Sequence, residues 1–114
     1  MRIGKKELKD LKNKIKKRKL ESILLKEYPD ADIFIIRGGD NWSDNNYMRD
    51  SIDAFFDKNK AYSEMRDLNS KEHYWWSDTY HVFSETPLTL KKRLWNSATI
   101  YEKLIKNYDL SEAD

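Results

Sequence analysis

The stretch "DIFIIR", residues 32–37, sets four apolar side chains in a row between an aspartate and an arginine. A strand with one face in water alternates apolar and polar residues. An unbroken run rich in isoleucine is better explained as a strand covered on both faces. It predicts the centre of a sheet with a layer of structure on either side, which a chain of 114 residues supplies as one domain with one modest core.

The flanking segments are read against that requirement. Residues 5–27 contain no Gly or Pro and are dominated by Leu, Lys and Glu, so they predict helix. At 100° per residue Leu8, Leu11 and Ile15 fall on one side, whereas Leu20, Ile23 and Leu24 fall roughly opposite. One straight helix cannot bury both stripes on one surface, so a kink, a break or a departing first half is expected at "KKRK", residues 16–19. Pro29 ends the helix by pushing Tyr28 out of helical dihedrals. After the apolar strand, "YMRDSIDAFF" partly alternates, with Met48, Ile52, Ala54 and Phe56 on one face, and reads as an edge strand. Asp57 is a candidate cap for a short helix carrying Ala61, Met65 and Leu68 and closed by Asn69 and Ser70. The aromatic and β-branched residues 72–83 predict a third strand. Thr86 and Pro87 then open a single last helix whose stripe is Leu90, Leu94, Ala98, Tyr101, Ile105 and Tyr108.

The order is α-β-β-α-β-α. A right-handed crossover from the second strand to the third is satisfied when the first strand lies between them. The expected fold is therefore α+β: a small three-stranded, mostly antiparallel sheet in the order 2-1-3, with the crossover helix on one face and the terminal helices on the other.

The stretch from "DIFIIRGGDNWSDNN" through "SIDAFFDKNKAYSEMRDLN" to "EHYWWSDTYHVF", residues 32–84, resembles a diffuse class of small phage- and prophage-encoded proteins of unknown function. The resemblance implies a phage accessory protein and assigns no catalytic residue.

Charge divides the chain. Residues 1–27 carry eleven Lys or Arg against four Asp or Glu, and residues 28–114 carry eleven against sixteen, a basic helical arm (1–27) joined to an acidic α+β body (28–114) with a net charge of +2 overall. With 37% charged residues the chain is polar, yet four Trp, seven Tyr and four Phe provide large apolar area, against disorder. There is no cysteine, which excludes disulfides, Cys-ligated metals and thiol chemistry and fits a reducing cytoplasm. No apolar run is long enough for a signal peptide or a membrane span.

Three regions are candidate sites. The first is "RGGDNWSDNN", residues 37–46. An EF-hand beginning at Asp40 needs Gly at its sixth position and an acid at its twelfth, and finds Asn45 and Ser51. A phosphate loop at Gly38 and Gly39 lacks the following helix and its Lys-Ser/Thr pair. What remains is a hairpin loop, or a partner-contacting loop presenting Asn41, Trp42 and Asp44. The second is the aromatic strand, where Trp75 and Trp76 point to opposite faces: both are core, or one belongs to a binding platform. His73 and His81 lie about 26 Å apart along an extended strand and cannot share a metal. Asp50 is a candidate half-buried carboxylate. The third is the basic arm, in which Lys12, Lys16, Lys17, Arg18 and Lys19 are a solvated face or bind nucleic acid or an acidic protein surface.

No nucleophile–base pair, cofactor motif or metal-ligand spacing is present, so the expectation is a non-enzymatic cytoplasmic protein with no cofactor or metal. Its leading reading is a small phage-type interaction protein that inhibits or redirects a host or defence-system protein, such as a component of an antiviral complex. The alternative is a nucleic-acid-binding accessory protein acting through the basic helix. No membrane partner is expected, and the sequence leaves the oligomeric state open.

Overall fold

The computed structural model of the protein describes residues 1–38, 51–71, 80–92 and 97–108. Among them the chain forms α1 (Lys5–Lys14), α2 (Leu20–Glu27), β1 (Ile33–Arg37), β2 (Ser51–Phe55), α3 (Lys58–Lys71), β3 (His81–Glu85), α4 (Pro87–Lys91) and α5 (Ser97–Tyr108). The three strands form one sheet in the order β2-β1-β3. Phe34 pairs with Phe55 on one side and Ser84 on the other, and β1 is antiparallel to both neighbours.

All five residues of β1 are buried, as an apolar run without alternation demands. Ile33 and Ile35 face Leu11 of α1, Ile23 and Leu24 of α2, Leu90 of α4 and Leu104 of α5. Phe34 and Ile36 face Phe55, Tyr80 and Ala61 of α3, with Met65 and Leu68 closing the edge. The crossover helix thus covers one face and the four other helices cover the opposite one. Burying each large apolar side chain of β1 contributes on the order of 1.5–3 kcal/mol, so this strand anchors both layers.

The basic N-terminal segment breaks at the expected place. Helix α1 ends at Lys14, the backbone N–H groups of Lys17 and Arg18 close a turn onto the Lys14 carbonyl, and α2 begins at Leu20. The break reconciles the two stripes, because Leu11 and Leu20, Ile23 and Leu24 then enter the same core. Polar contacts fix the corner. Lys14 bridges Asp10 at 3.0 Å and also bonds Glu27, Arg18 bonds Glu27 at 2.8 Å, and the Tyr28 hydroxyl donates to Asp10 at 2.9 Å.

Elsewhere the structure corrects the sequence reading. Among the described residues the expected single C-terminal helix is two: α4 ends at Lys91 and packs against α2, and α5 begins at Ser97 and packs against β2, with Leu90, Ile100 and Leu104 in one core. The N-terminal cap of α4 is as read, with the Thr86 hydroxyl accepting from the Thr89 N–H and Pro87 in the first turn. In β2, Ala54 and Phe56 share a face but Ile52 packs with the opposite cluster. An irregularity opposite Ile36 and Arg37 inserts one residue and resets the alternation. Helix α3 runs past Asn69 and Ser70 to Lys71, and β3 runs two residues beyond Phe83. Asn69 is not a stop signal. Its side-chain amide takes the Tyr80 N–H at 2.7 Å and gives a hydrogen bond to the Tyr80 carbonyl at 3.2 Å, holding the residue that leads into β3.

Candidate functional site

The described residues bring cations together at the corner where β2 turns into α3. On α1, Lys5, Lys9 and Lys12 recur at helical spacing i, i+4 and i+7 and line one groove with Leu8 between them. Lys60 from α3 and Asn107 and Tyr108 from α5 form the other wall, enclosing about 490 Å³. A second concavity of about 200 Å³ shares Lys5, Leu8 and Tyr108 with the first and adds Arg2 and Lys58. A third, about 300 Å³, shares Arg2 and Lys58 with the second and reaches Phe34, Tyr62 and Ser84.

Tyr108 organises the wall. Its hydroxyl accepts a hydrogen bond from the Asp57 backbone N–H, and its ring lies against Phe56 with centroids 5.6 Å apart. Burial, ahead of the nearby Asp57 carboxylate, pushes the Tyr108 phenol up to about 12, so it is neutral across the physiological range. The Lys60 ammonium sits 5.0 Å from the Tyr108 ring centroid and the Lys58 ammonium 5.9 Å from that of Tyr62. The quadrupole of an aromatic face attracts a cation at such distances, so each ring helps to position its lysine.

Among the described residues, two acidic groups that line these concavities have partners. The Asp57 carboxylate caps α3, accepting the N–H groups of Asn59 at 2.9 Å and Lys60 at 3.4 Å. Asp32 pairs with the Met1 amino group at 3.3 Å. The first turn of α3 contains no acidic residue and carries Lys58 and Lys60 instead. The positive end of a helix dipole disfavours cations there, so the two lysines break a local rule that stability alone would enforce.

Of the sequence-predicted basic residues, Lys12 lines the groove. Arg18 is paired with Glu27 at the α1–α2 corner, and Lys16, Lys17 and Lys19 are exposed at the turn between those helices, apart from the groove. Asn41, Trp42, Asp44, Asp50, His73, Trp75 and Trp76 lie outside the described residues. His81 is an exposed strand residue with its ring 6.5 Å from that of Phe83. Sequence reasoning did not single out Lys5, Lys9, Arg2, Lys58 or Lys60 as site residues. The signal for Lys58 and Lys60 was "DKNK", lysines directly behind a helix cap.

At the opposite end of the sheet Arg37 is 4% exposed, its guanidinium 5.6 Å over the Phe83 ring and 3.9 Å from Glu85. Among the described residues no three His, Asp or Glu are grouped to hold a metal ion, and no helix is long and apolar enough to cross a membrane. The groove therefore combines positive charge with an apolar and aromatic lining, a combination that can chemically attract an anion. No family model matches this sequence, and the searches of curated proteins and of solved structures found no match.

Proposed function

We propose that the protein is a nucleic-acid-binding accessory protein and that its working surface is the groove between α1 and α3. The observation that carries this reading is the convergence of Lys5, Lys9 and Lys12 with Lys60 from a distant part of the chain. Each phosphate neutralised by such a lysine releases condensed counterions, so the affinity is salt-dependent. The proposal is tested by measuring the dissociation constant for an oligonucleotide across a salt series, with the wild type and with Lys5→Gln/Lys9→Gln/Lys60→Gln. The expected result is a steep loss of affinity with salt that the triple substitution flattens. Binding that is insensitive to salt, or unchanged in the triple variant, contradicts it.

A second reading is a phage-type protein that binds and inhibits a host or defence-system protein. It is favoured by one relationship: Arg37 pairs with both Ser51 and His81, so the described residues that flank the segments bearing Trp42 and Trp75–Trp76 meet at one end of the sheet. On that reading Trp42→Ala costs on the order of 2 kcal/mol of partner binding with little change in salt dependence.

A further inference from the structure

Resting on the nucleic-acid reading, we infer that the groove takes a single strand, threaded along the three adjoining concavities, and not a duplex. The concavities adjoin, since each shares lining residues with the next, through Lys5 and Tyr108 and then through Arg2 and Lys58. Along α1 the stripe from Lys5 to Lys12 covers about 10 Å at 1.5 Å per residue. The cations of α3 and Arg2 extend the same track toward the outer strand β3.

The floor decides between the two forms. Its apolar and aromatic part is Leu8 and Tyr108 in the first concavity and Phe34 and Tyr62 in the third, lining the same hollows as the lysines. A duplex is a stiff convex cylinder with its bases turned inward, and it meets a protein on ridges. With its bases paired and stacked it has no free base face to lay on an aromatic ring of the lining. A single strand does, since its backbone bends to follow the cations and its unpaired bases present flat faces to aromatic rings. The exposed lysines that would suit a duplex, Lys16, Lys17 and Lys19, stand apart at the α1–α2 turn. Tyr62 is half-buried with the Lys58 ammonium 5.9 Å over its ring, so a base that stacks there takes the place of a side chain that can turn to a phosphate.

The test is fluorescence anisotropy with a labelled single strand and a duplex of equal length and mixed sequence, on wild type, Lys5→Gln/Lys9→Gln/Lys60→Gln, Tyr62→Ala and Tyr62→Leu. The single strand is expected to bind at least about tenfold more tightly than the duplex, a margin within what a stacked base contributes. Both Tyr62 variants should weaken single-strand binding on the order of fivefold or more without changing the salt slope. The triple Lys variant should lower that slope by about 0.7 for each phosphate it no longer neutralises. Equal or tighter duplex binding overturns the single-strand inference while leaving the nucleic-acid reading intact. Loss of effect in both Tyr62 variants also overturns it, because the third concavity would then receive no base. If neither the single strand nor the duplex binds at physiological salt, both readings are overturned, and capture of a protein partner that depends on Trp42 would then identify the other reading as correct.

Discussion

The hydroxyl of Tyr108, in the last turn of α5, accepts the backbone N–H of Asp57, the residue that caps α3. This hydrogen bond joins the end of the last helix to the corner between β2 and α3, and it sets the wall of the groove. Tyr108→Phe keeps the ring against Phe56 but leaves the part-buried N–H without its acceptor. We expect a loss of about 1 kcal/mol, seen as a fall of several degrees in thermal midpoint. An unchanged midpoint would show that water replaces the hydroxyl at no cost.

Asn69→Ala removes both side-chain hydrogen bonds to the Tyr80 backbone. Tyr80 is buried, so its backbone groups lose partners they cannot recover from solvent. A loss of about 1–3 kcal/mol in denaturant unfolding is expected, with Asn69→Asp recovering only the bond from the Tyr80 N–H.

Arg37→Ala removes the 4% exposed guanidinium of the Arg37–Glu85 ion pair, 3.9 Å from a carboxylate whose side chain is 11% exposed, together with its place over the Phe83 ring. Breaking such a pair costs about 3–5 kcal/mol, enough to unfold much of a marginally stable domain. The double variant Arg37→Met/Glu85→Leu should recover most of that loss. A double variant as unstable as the single one would show that the pair holds the sheet end by more than charge compensation.

Stability should fall in alkali. Burial raises the phenols of Tyr101 and Tyr108, the latter to about 12, and the Glu27 and Asp10 partners raise Lys14. A group whose folded pKa is raised contributes stability below its ordinary value that is lost as pH climbs through the folded one. For a phenol that window opens near 10 and closes near 12 for Tyr108. In acid the sign reverses: Asp10 and Glu27, both held below the usual carboxylate range chiefly by Lys14, lose a modest contribution as pH falls through 4. Phenol absorbance against pH, read beside circular dichroism, should show a class of tyrosines that ionises only as the fold is lost.

The sheet order and its two covered faces were legible because "DIFIIR" carries four apolar residues without alternation, and one strand so enclosed leaves few topologies. The break between α1 and α2 was legible for a similar reason, since Leu11 and Leu24 cannot face one core from one straight helix. The groove was half legible. Lys5, Lys9 and Lys12 share a helix face in the sequence, but Lys60 reaches them only because the Tyr108 hydroxyl and Phe56 bring α3 and α5 to the same corner. The charge run at residues 16–19 drew attention by density, whereas Arg18 serves the local corner through Glu27. Ile52 changed faces because a one-residue irregularity in pairing cannot be read from alternation.

Lys58→Glu/Lys60→Glu should leave the thermal midpoint unchanged or raise it, since acids suit the first turn of a helix. The same variant should abolish nucleic-acid binding. A marked fall in midpoint would mean that the two lysines are there for the fold.

The most direct measurement is lysine acetylation footprinting of the protein with and without bound oligonucleotide, read residue by residue by mass spectrometry. The account predicts protection of Lys5, Lys9, Lys58 and Lys60 in the complex, while Lys16, Lys17 and Lys19 keep the reactivity they have in the unbound protein. Protection confined to Lys16, Lys17 and Lys19, with the groove lysines unchanged, would contradict it.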